Sequence, residues 1–427
     1  MAKLGDVLDQ RCESVAADAF GSFVPITVHL DGRISVRKRE RAFKGQMFAA
    51  LPGDVVFSKI DARNGAIGVL PPTVPAAVVT PEFPIFTPKS TAISARYLEL
   101  VLRAGGFIEA LRRRATGTSG RKRITPESFR SLSIPLPPLV EQQALVAAHD
   151  LALEEAHALE LQATEAEQAG TRTFCEALGV AAPTALPEKP MFVARFRDLE
   201  RWSHEAVLRG AAGGTAAEAK WPIVRLGDVV ADLENGWSPK CHDRPAEKDE
   251  WGVLKLGAVS FGVFDEHQNK ALPTTLKPQP RLEILPGQVL ISRANITRLV
   301  GATTFVRETR PKLMLCDKIF RCVFRPDSTI DPEFTATVLR TAGVREQIEA
   351  RVTGTSPTMK NISKPALLSL TFPLPPLDTQ SELVKALAAA RAEAAKLREA
   401  ASQKRKHAAT VFEAAIYEEL ADGEEKQ

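Results

Sequence analysis

Cysteine and long apolar runs are scarce in this 427-residue chain. No apolar run approaches the roughly 18 to 20 residues that cross a bilayer, and the N-terminus lacks the charged-then-apolar layout of a signal peptide. These absences predict a cytoplasmic protein. The five cysteines are odd in number, scattered and never in a C-x-x-C pair, which argues against disulfides and a zinc site. We expect buried thiols at these positions: Cys12, Cys175, Cys241, Cys316 and Cys322.

Familiar catalytic motifs are also missing. The chain has no G-x-x-x-x-G-K-[ST] phosphate loop, no Asn/Asp-Pro-Pro-aromatic tetrapeptide of an adenine methyltransferase, no G-x-S-x-G elbow and no H-E-x-x-H. Glu218-Ala219-Lys220 has the Glu-x-Lys spacing of many nucleases, but no strand carboxylate precedes it. We therefore expect no catalytic residue, no metal ligand and no cofactor-binding residue in this chain.

The chain does contain an internal duplication, because the same series of motifs occurs twice in the same order. Proline blocks at 134–139 and 372–377, IPLPPL and FPLPPL, are offset by 238 residues (373 minus 135) and are each followed by a long Ala/Leu-rich stretch. Three further blocks recur upstream in the same order: KLGDV at 3–7 with RLGDV at 225–229, LPGDVVFSK at 51–59 with LPGQVLISR at 285–293, and RATGTS at 114–119 with RVTGTS at 351–356. The period is far too long for a solenoid, so each half should be a domain plus a helix.

Each proline block should begin a long helix. Residues from Val140 to about Phe174 contain no proline and no glycine until Gly170, and small or apolar residues recur at helical steps. In the first copy these are Leu145, Ala148, Ala152, Ala156, Leu159, Ala163 and Ala166; in the second they form a heptad seam of Leu383, Leu387, Ala390, Ala394, Leu397, Ala401, Lys404, Ala408, Val411 and Ala415. Thr379 and Glu382 are a candidate capping box. We expect the two helices to pack antiparallel; a surface helix or an intermolecular coiled coil is the alternative.

The segments before the prolines predict mixed α/β globules. Short β-rich runs such as Phe23–Leu30, Asp54–Ser58 and Gln288–Ser292 are broken by turn residues. Further strands are expected at Trp251–Phe264 and Cys316–Phe324, and helical segments at Ala95–Arg114, interrupted at Gly105-Gly106, and at Pro332–Val352. A proline- and glycine-containing connector follows the first helix, with a short helical piece near Asp198–Leu208.

Positive charge is unevenly distributed. The net charge of +4 says little by itself, but basic residues cluster at 37–44, at Arg112-Arg113-Arg114 and at Arg121-Lys122-Arg123. A single basic cluster is usually a solvated face. Two of these clusters flank the repeated Gly-Thr-Ser block, which favours a polyanionic partner.

The polar loop before each proline block is a candidate phosphate contact. Its glycines permit tight turns, its hydroxyls and amides can bind phosphate oxygens, and its Lys and Arg side chains can neutralise them. The alternative is a turn capped by its own hydroxyls. The candidate residues are Thr118, Ser119, Arg121, Lys122 and Arg123 in the first copy, and Thr355, Ser356, Thr358, Lys360 and Asn361 in the second.

The turn after each Leu-Pro-Gly strand is a candidate base-reading segment. Arg can pair with guanine edges and Asn with adenine edges in the major groove. The two copies differ, as two readers of different sequences should, although an Arg or Asn in a loop is more often merely exposed. The candidates are Lys59, Arg63 and Asn64, and Arg293, Asn295 and Arg298.

The order, spacing and duplication of these motifs resemble the specificity subunit of Type I restriction–modification systems, over almost the whole chain. Glu141-Gln142 matches the usual Glu-Gln of that family, whereas Asp378-Thr379-Gln380 departs from it, which we expect to alter capping rather than function. The resemblance implies an α+β fold with two homologous mixed α/β target-recognition domains in a pseudo-twofold arrangement, separated by two long antiparallel coiled-coil helices. The implied segments are target-recognition domain 1 (1–139), spacer helix 1 (140–180), a connector (181–220), target-recognition domain 2 (221–377) and spacer helix 2 (378–420).

The resemblance also implies a function in phage defence. Such a chain would be the non-catalytic subunit that reads a bipartite double-stranded DNA site and docks two methyltransferase subunits, which motor/nuclease subunits would join. S-adenosylmethionine, Mg²⁺ and ATP would belong to those partners. A helix of about 35 residues spans roughly 52 Å, or about 15 base pairs, which suits an unread gap. The alternatives are a specificity protein of another methylation-based defence system, a solitary DNA-binding regulator, and a specificity module with its own cryptic nuclease activity.

Overall fold

The computed structural model describes residues 1–37, 45–115, 122–180, 220–354 and 359–424. It divides into two compact units, of which the first is Met1–Leu161 with Leu397–Gln427 and the second is Gln162–Lys396. The expected helical piece at 198–208 and most of the basic cluster at 37–44 lie outside the described residues. No helix within those ranges is long and apolar enough to span a membrane.

The helices of the described chain fall into short ones that belong to the globules and two very long ones. Their bounds are α1 (Leu4–Val7), α2 (Ala95–Val101), α3 (Gly105–Arg114), α4 (Pro126–Arg130), α5 (Leu139–Leu178), α6 (Leu226–Val229), α7 (Pro332–Val338), α8 (Ala342–Arg351), α9 (Lys364–Leu368) and α10 (Leu377–Glu424). The order of short helices repeats between the halves, as the duplication predicts. The expected break in the helix at 95–114 lies at 102–104, and Gly105-Gly106 begin α3 instead of interrupting a helix.

Strands of two to five residues build the first globule. They are β1 (Ala2–Lys3), β2 (Leu8–Arg11), β3 (Val24–Val28), β4 (Ile34–Val36), β5 (Phe48–Ala50), β6 (Val55–Phe57), β7 (Ile67–Val69), β8 (Ala77–Val79), β9 (Ile85–Pro88) and β10 (Ser133–Ile134). One four-stranded sheet is antiparallel throughout, in the order β2-β9-β6-β7. The other has the order β4-β3-β8-β5 and contains one parallel pair, β3 with β8. β1 pairs with β10.

The second globule repeats the antiparallel sheet. Its strands are β11 (Ile223–Arg225), β12 (Val230–Asn235), β13 (Gly252–Leu254), β14 (Asn269–Ala271), β15 (Val289–Ser292), β16 (Ala294–Asn295), β17 (Thr303–Phe305), β18 (Leu313–Met314), β19 (Ile319–Phe324), β20 (Lys360–Asn361) and β21 (Thr371–Pro373). The order β12-β19-β15-β17 matches β2-β9-β6-β7. The strand expected at Trp251–Phe264 forms only at β13, because a 3-10 turn and an isolated bridge follow it.

Each repeated Leu-Pro-Gly block is a tight turn that leads into the central strand of its sheet. Gly53 and Gly287 have φ angles of 88° and 87°, which glycine adopts without the strain that a Cβ would impose. The strands that follow, β6 and β15, are buried along their whole length. In the first core Phe57 lies against Phe129 with ring centroids 4.6 Å apart.

The two long helices pack antiparallel within each unit. In the first unit Lys404 of α10 pairs with Glu155 of α5, and Phe412 lies further along α10 against His149, which precedes Glu155 in α5. In the second unit Gly170 of α5 lies against Ala390 of α10. The buried seam is rich in alanine, which permits this close approach: Ala156, Ala163, Ala394, Ala401 and Ala408. The mixed α/β fold with long antiparallel helices is therefore confirmed.

Parts of the predicted seam are wrong. Ala148 is exposed, and Val411 is 49% exposed while its neighbour Phe412 is buried in its place. Phe412 supplies a large ring next to Tyr97, with centroids 5.8 Å apart, so packing against the first globule decides the orientation of α10 there. The predicted capping box is also wrong, because α10 begins at Leu377 and Thr379 therefore lies inside the helix.

The cysteines are free thiols, as their spacing predicts, but they are not all buried. Cys12 is exposed and Cys241 is half-buried, whereas the other three are buried. Burial raises the pKa of Cys316 to about 11 and that of Cys322 to about 12. Among the described residues no group of His, Cys, Asp and Glu side chains could hold a metal ion.

Candidate nucleic-acid interface

The structure describes ten of the sixteen predicted contact residues. The remaining six, Thr118, Ser119, Arg121, Thr355, Ser356 and Thr358, lie outside the described residues. The described ten fall on the two segments of each globule that the sequence singled out, which are the turn after the Leu-Pro-Gly strand and the end of the polar loop.

In the first unit these two segments meet through the backbone. The amide of Ile124 donates to the carbonyl of Lys59 at 2.8 Å, so the end of the polar loop is fixed beside the end of β6. Lys122 and Arg123 are exposed directly before this contact. Arg123 forms an ion pair with Glu82 at 3.3 Å. The Lys59 amide in turn donates to the Glu82 carbonyl at 3.0 Å, which joins the three segments.

The turn that carries Arg63 and Asn64 is held rigidly. Its last residue, Gly65, has a φ angle of 105°, and a Cβ there would lie 2.0 Å from the Leu30 carbonyl oxygen. Asn64 donates its side-chain amide to Asp61 at 3.3 Å and is exposed. Arg63 is half-buried, and its Nε is buried with no hydrogen-bond partner among the described residues. The turn thus presents Asn64 more openly than Arg63.

Two arginines of the helical segment α2–α3 hold this turn by hydrogen bonds to its backbone carbonyls. Arg112 donates to the carbonyl of Arg63 at 3.1 Å, and Arg103 donates to the carbonyl of Gly65 at 3.1 Å. Arg103 is largely buried, and this burial lowers its pKa. The guanidinium of Arg103 also lies over Gly32, where a Cβ would clash with it at 1.8 Å. These arginines position the turn and are not themselves predicted base readers.

In the second unit the same two segments pair as strands. The Ile362 amide donates to the Arg293 carbonyl at 3.0 Å, which is the counterpart of the bond between Ile124 and Lys59. β16 then pairs with β20, so that Asn295 lies directly opposite Lys360. Arg298 is exposed beyond the strand. Among the described candidates of this unit, Arg293, Asn295, Lys360 and Asn361 are therefore brought onto one edge.

A short hairpin closes the second polar loop. Thr353 and Asn361 exchange backbone hydrogen bonds of 2.8 and 2.9 Å. Gly354, which follows, has a φ angle of 118°, and the Lys360 ammonium donates to its carbonyl. The base of the loop is thus fixed by the chain itself, while Asn361 uses its backbone for this purpose and keeps its side chain half-exposed.

Arg293 is engaged with its own globule. Its guanidinium lies 5.7 Å from the centroid of the Phe320 ring and donates to the Asp317 carbonyl at 3.3 Å. The sequence analysis did not find Lys318, which is exposed and accepts a 2.8 Å bond from the Arg293 amide through its carbonyl. The Leu-Pro-Gly repeat could not reveal it, because Lys318 lies in the turn before β19, outside the repeated block.

A buried glutamine lies at the start of each long helix, and the sequence analysis named both residues without predicting their burial or their contacts. Gln142 and Gln380 occupy matching positions and are both 0% exposed. In the first unit the Gln142 amide donates to the carbonyls of Ala92 and Pro137 at 2.9 Å each, and its oxygen accepts from Ser94 at 3.0 Å.

Gln380 repeats all three contacts in the second unit. It donates to the carbonyls of Thr329 and Pro375 at 2.9 and 2.7 Å and accepts from the Asp331 amide at 2.8 Å. These three hydrogen bonds, which we call the glutamine latch, tie the start of the long helix to the globule. The departure from the family pattern at Asp378-Thr379 leaves them intact. The repetition of the glutamine at an offset of 238 (380 minus 142) was the signal that could have found it.

Known proteins resemble this chain in sequence and in fold. A match over 168 residues, 39% of this chain, is 34% identical to the Type I restriction enzyme EcoEI specificity subunit of Escherichia coli and covers 28% of that protein. A second match over 274 residues, 61% of this chain, is 24% identical to the EcoKI specificity subunit of Escherichia coli strain K12 and covers 51% of it. The chain thus matches about half or less of these curated relatives. No protein-family profile matches it.

A solved structure extends the likeness of fold to nearly the whole chain. It comes from a study of complex assembly and conformational transition of the type I R-M system, and it has a TM-score of 0.55 at 17% identity, covering 97% of this chain and 95% of that one. The sequence matches, together with this likeness of fold, confirm the resemblance to Type I specificity subunits that the repeated motifs indicated.

Proposed function

We propose that this relative of Type I specificity subunits is the DNA-reading subunit of a restriction–modification complex. Each globule reads one half of a bipartite double-stranded site, and the chain itself performs no chemistry. The catalytic work belongs to two methyltransferase subunits, with their S-adenosylmethionine, and to motor/nuclease subunits, with their Mg²⁺ and ATP.

One repeated contact carries this proposal. The bond from Ile124 to Lys59 and the bond from Ile362 to Arg293 fix a basic polar loop beside a strand-end turn in both globules. Phosphate contacts orient a protein on the duplex, and neighbouring side chains then reach the base edges. A loop that can hold a phosphate next to a turn that presents Asn64, or Asn295 and Arg298, supplies both kinds of group at one edge. The pair of copies supports two half-sites.

The long helices support the second part of the proposal, an unread gap between the half-sites. α5 has 40 residues and α10 has 48. A helix of 40 residues is roughly 60 Å long at 1.5 Å per residue. Within each unit the alanine-rich seam lets α5 and α10 approach closely, and helices of this length suit a gap of unread base pairs. The exposed helix faces are then available to the methyltransferase subunits.

The test begins with the purified full chain alone. The chain is incubated with methylation-sensitive DNA substrates, Mg²⁺, ATP and S-adenosylmethionine, and is compared with the same chain plus its methyltransferase subunits. We expect site-specific DNA binding by the chain and methylation only in the presence of the partners. Cleavage or methylation by the chain alone would contradict the proposal and favour a self-contained enzyme.

A further inference from the structure

A polar cavity of about 330 Å³ lies within the second unit, and none of its lining residues is among the predicted DNA contacts. It is bounded by β17, α7 and the first turns of α10. Three arginines line it, Arg307, Arg340 and Arg391, together with one carboxylate, Glu333. The remaining lining is mostly small or apolar, so the guanidinium groups dominate its chemistry.

Arg340 is built into this cavity. Its guanidinium lies over Gly262, which has a φ angle of 74°, and a Cβ at that glycine would be 1.6 Å from Arg340 Nη1. Arg340 Nη2 donates to Thr337 Oγ1 at 3.4 Å. The Nε atom is buried and has no hydrogen-bond partner among the described residues. A buried guanidinium donor without an acceptor is costly, and a bound anion would relieve that cost.

The charges around Arg340 do not balance it. Glu333 is engaged by Arg307, with which it forms a short ion pair. Burial lowers the pKa of Arg340 to about 10, and the positive charge of Arg391 contributes to the same decrease. Burial also lowers the pKa of Arg391, an effect that Glu167 opposes. Three arginines are thus close to only two carboxylates, Glu333 and Glu167, so the cavity carries a net positive charge.

The matching junction of the first unit has a carboxylate on its long helix, whereas the second unit does not. In the first unit, Arg96 of α2 pairs with Asp150 of α5, with Nε and Oδ2 3.2 Å apart. With the offset of 238 that relates Gln142 to Gln380, Asp150 corresponds to Ala388, and Leu153 corresponds to Arg391. The second copy has thus lost the helix carboxylate at this junction and gained an arginine. The carboxylate of this junction lies on α7 in the second unit, where Glu333 corresponds to Arg96 at an offset of 237 (333 minus 96), and Arg307 engages it.

We propose that this cavity binds a small oxyanion, with inorganic phosphate or a terminal phosphate group as its ligand class. Planar guanidinium groups bind phosphate and carboxylate oxygens through paired charge-assisted hydrogen bonds, and arginine is the residue best suited to this geometry. The volume accommodates one tetrahedral anion with a few waters, each of which takes about 30 Å³. This site is additional to the DNA-reading function, and phosphate binding to the isolated chain does not depend on it.

The test is calorimetric titration of inorganic phosphate into the full chain, with chloride adjusted to keep the ionic strength constant. We expect saturable binding of one phosphate per chain. Arg391→Leu restores the residue type that the first copy has at this position, so the helix should fold, and phosphate affinity should fall about tenfold or more, since a charged hydrogen bond contributes roughly 1.5–3 kcal/mol. Arg405→Leu, on the same helix but in the first unit, is the matched control and should bind phosphate as the unchanged chain does.

Ala388→Asp is a second and independent variant. It installs the carboxylate that the first unit has at Asp150, so an internal anion should replace the external one and phosphate binding should be lost. Failure of the unchanged chain to bind phosphate would overturn the proposal. Equal binding by both cavity variants would place the phosphate elsewhere and overturn it too. A loss of methyltransferase binding in Arg391→Leu without any phosphate binding would assign the cavity to a partner's acidic side chain instead.

Discussion

Removing the two exposed basic residues that precede the loop contact of the first unit should change the salt dependence of DNA binding. Each phosphate contact contributes about 0.9 to the slope of log K against log salt, which amounts to about an eightfold change in affinity per tenfold change in salt. Lys122 is exposed, so Lys122→Ala should reduce the slope by about 0.9. Arg123 is 51% exposed on its side chain but pairs with Glu82, so its loss should reduce the slope by less.

The double variant should therefore reduce the slope by between about 0.9 and 1.8. Fluorescence anisotropy of a labelled duplex, measured from 50 to about 300 mM salt, gives the slope, and the base preference at each half-site should stay the same. Lys385→Ala, which removes an exposed positive charge from α10, is the control and should leave the slope unchanged. An unchanged slope with lost preference at one half-site would refute the reasoning, because it would mean that these residues read bases.

Three further predictions concern stability and reactivity. Gln380→Leu should lower the free energy of unfolding in urea by about 1–3 kcal/mol, because one buried and two part-buried backbone groups lose their hydrogen-bond partner; a loss below about 0.5 kcal/mol would contradict the role of the glutamine. Gly65→Ala should abolish binding at one half-site in a footprint, because its Cβ would clash with the Leu30 carbonyl oxygen. The control is Gly53→Ala: Gly53 also has a positive φ angle but has open space around it, so this variant should keep DNA binding and lose only about 1–2 kcal/mol of folding stability. Equal footprints would count against a fixed turn. Cys12 should react rapidly with a thiol reagent at pH 8, and Cys322 only on unfolding, because burial raises its pKa to about 12; fast reaction at both would disprove the buried environment.

The features that sequence could predict are those encoded by local pattern. Proline stops, heptad spacing and the Leu-Pro-Gly turns are short-range signals, and they gave the long helices, the central strands and the duplication. The position of Phe412 was not predictable in this way, since the identity of the buried residue near the end of α10 depends on the Tyr97 ring of a segment more than 300 residues earlier.

The sequence could predict which segments form the candidate site, but not which side chains of those segments are exposed. The repeated loop and turn are close in each unit, as their joint repetition suggested. The exposure of each arginine, however, depends on tertiary neighbours: Arg293 lies on Phe320, and Arg63 is half-buried. Gln142 is polar in an otherwise solvent-facing helix start, so only its three backbone partners reveal why it is buried.

The central claim is that each globule reads its own half of a divided DNA target. The most direct measurement is methylation profiling of a genome that carries the complete system after residues 1–133 have been exchanged for those of another specificity subunit. The account predicts a methylated site in which one half and only one half has changed, with the gap length preserved. A profile in which both halves change, or neither does, would contradict it.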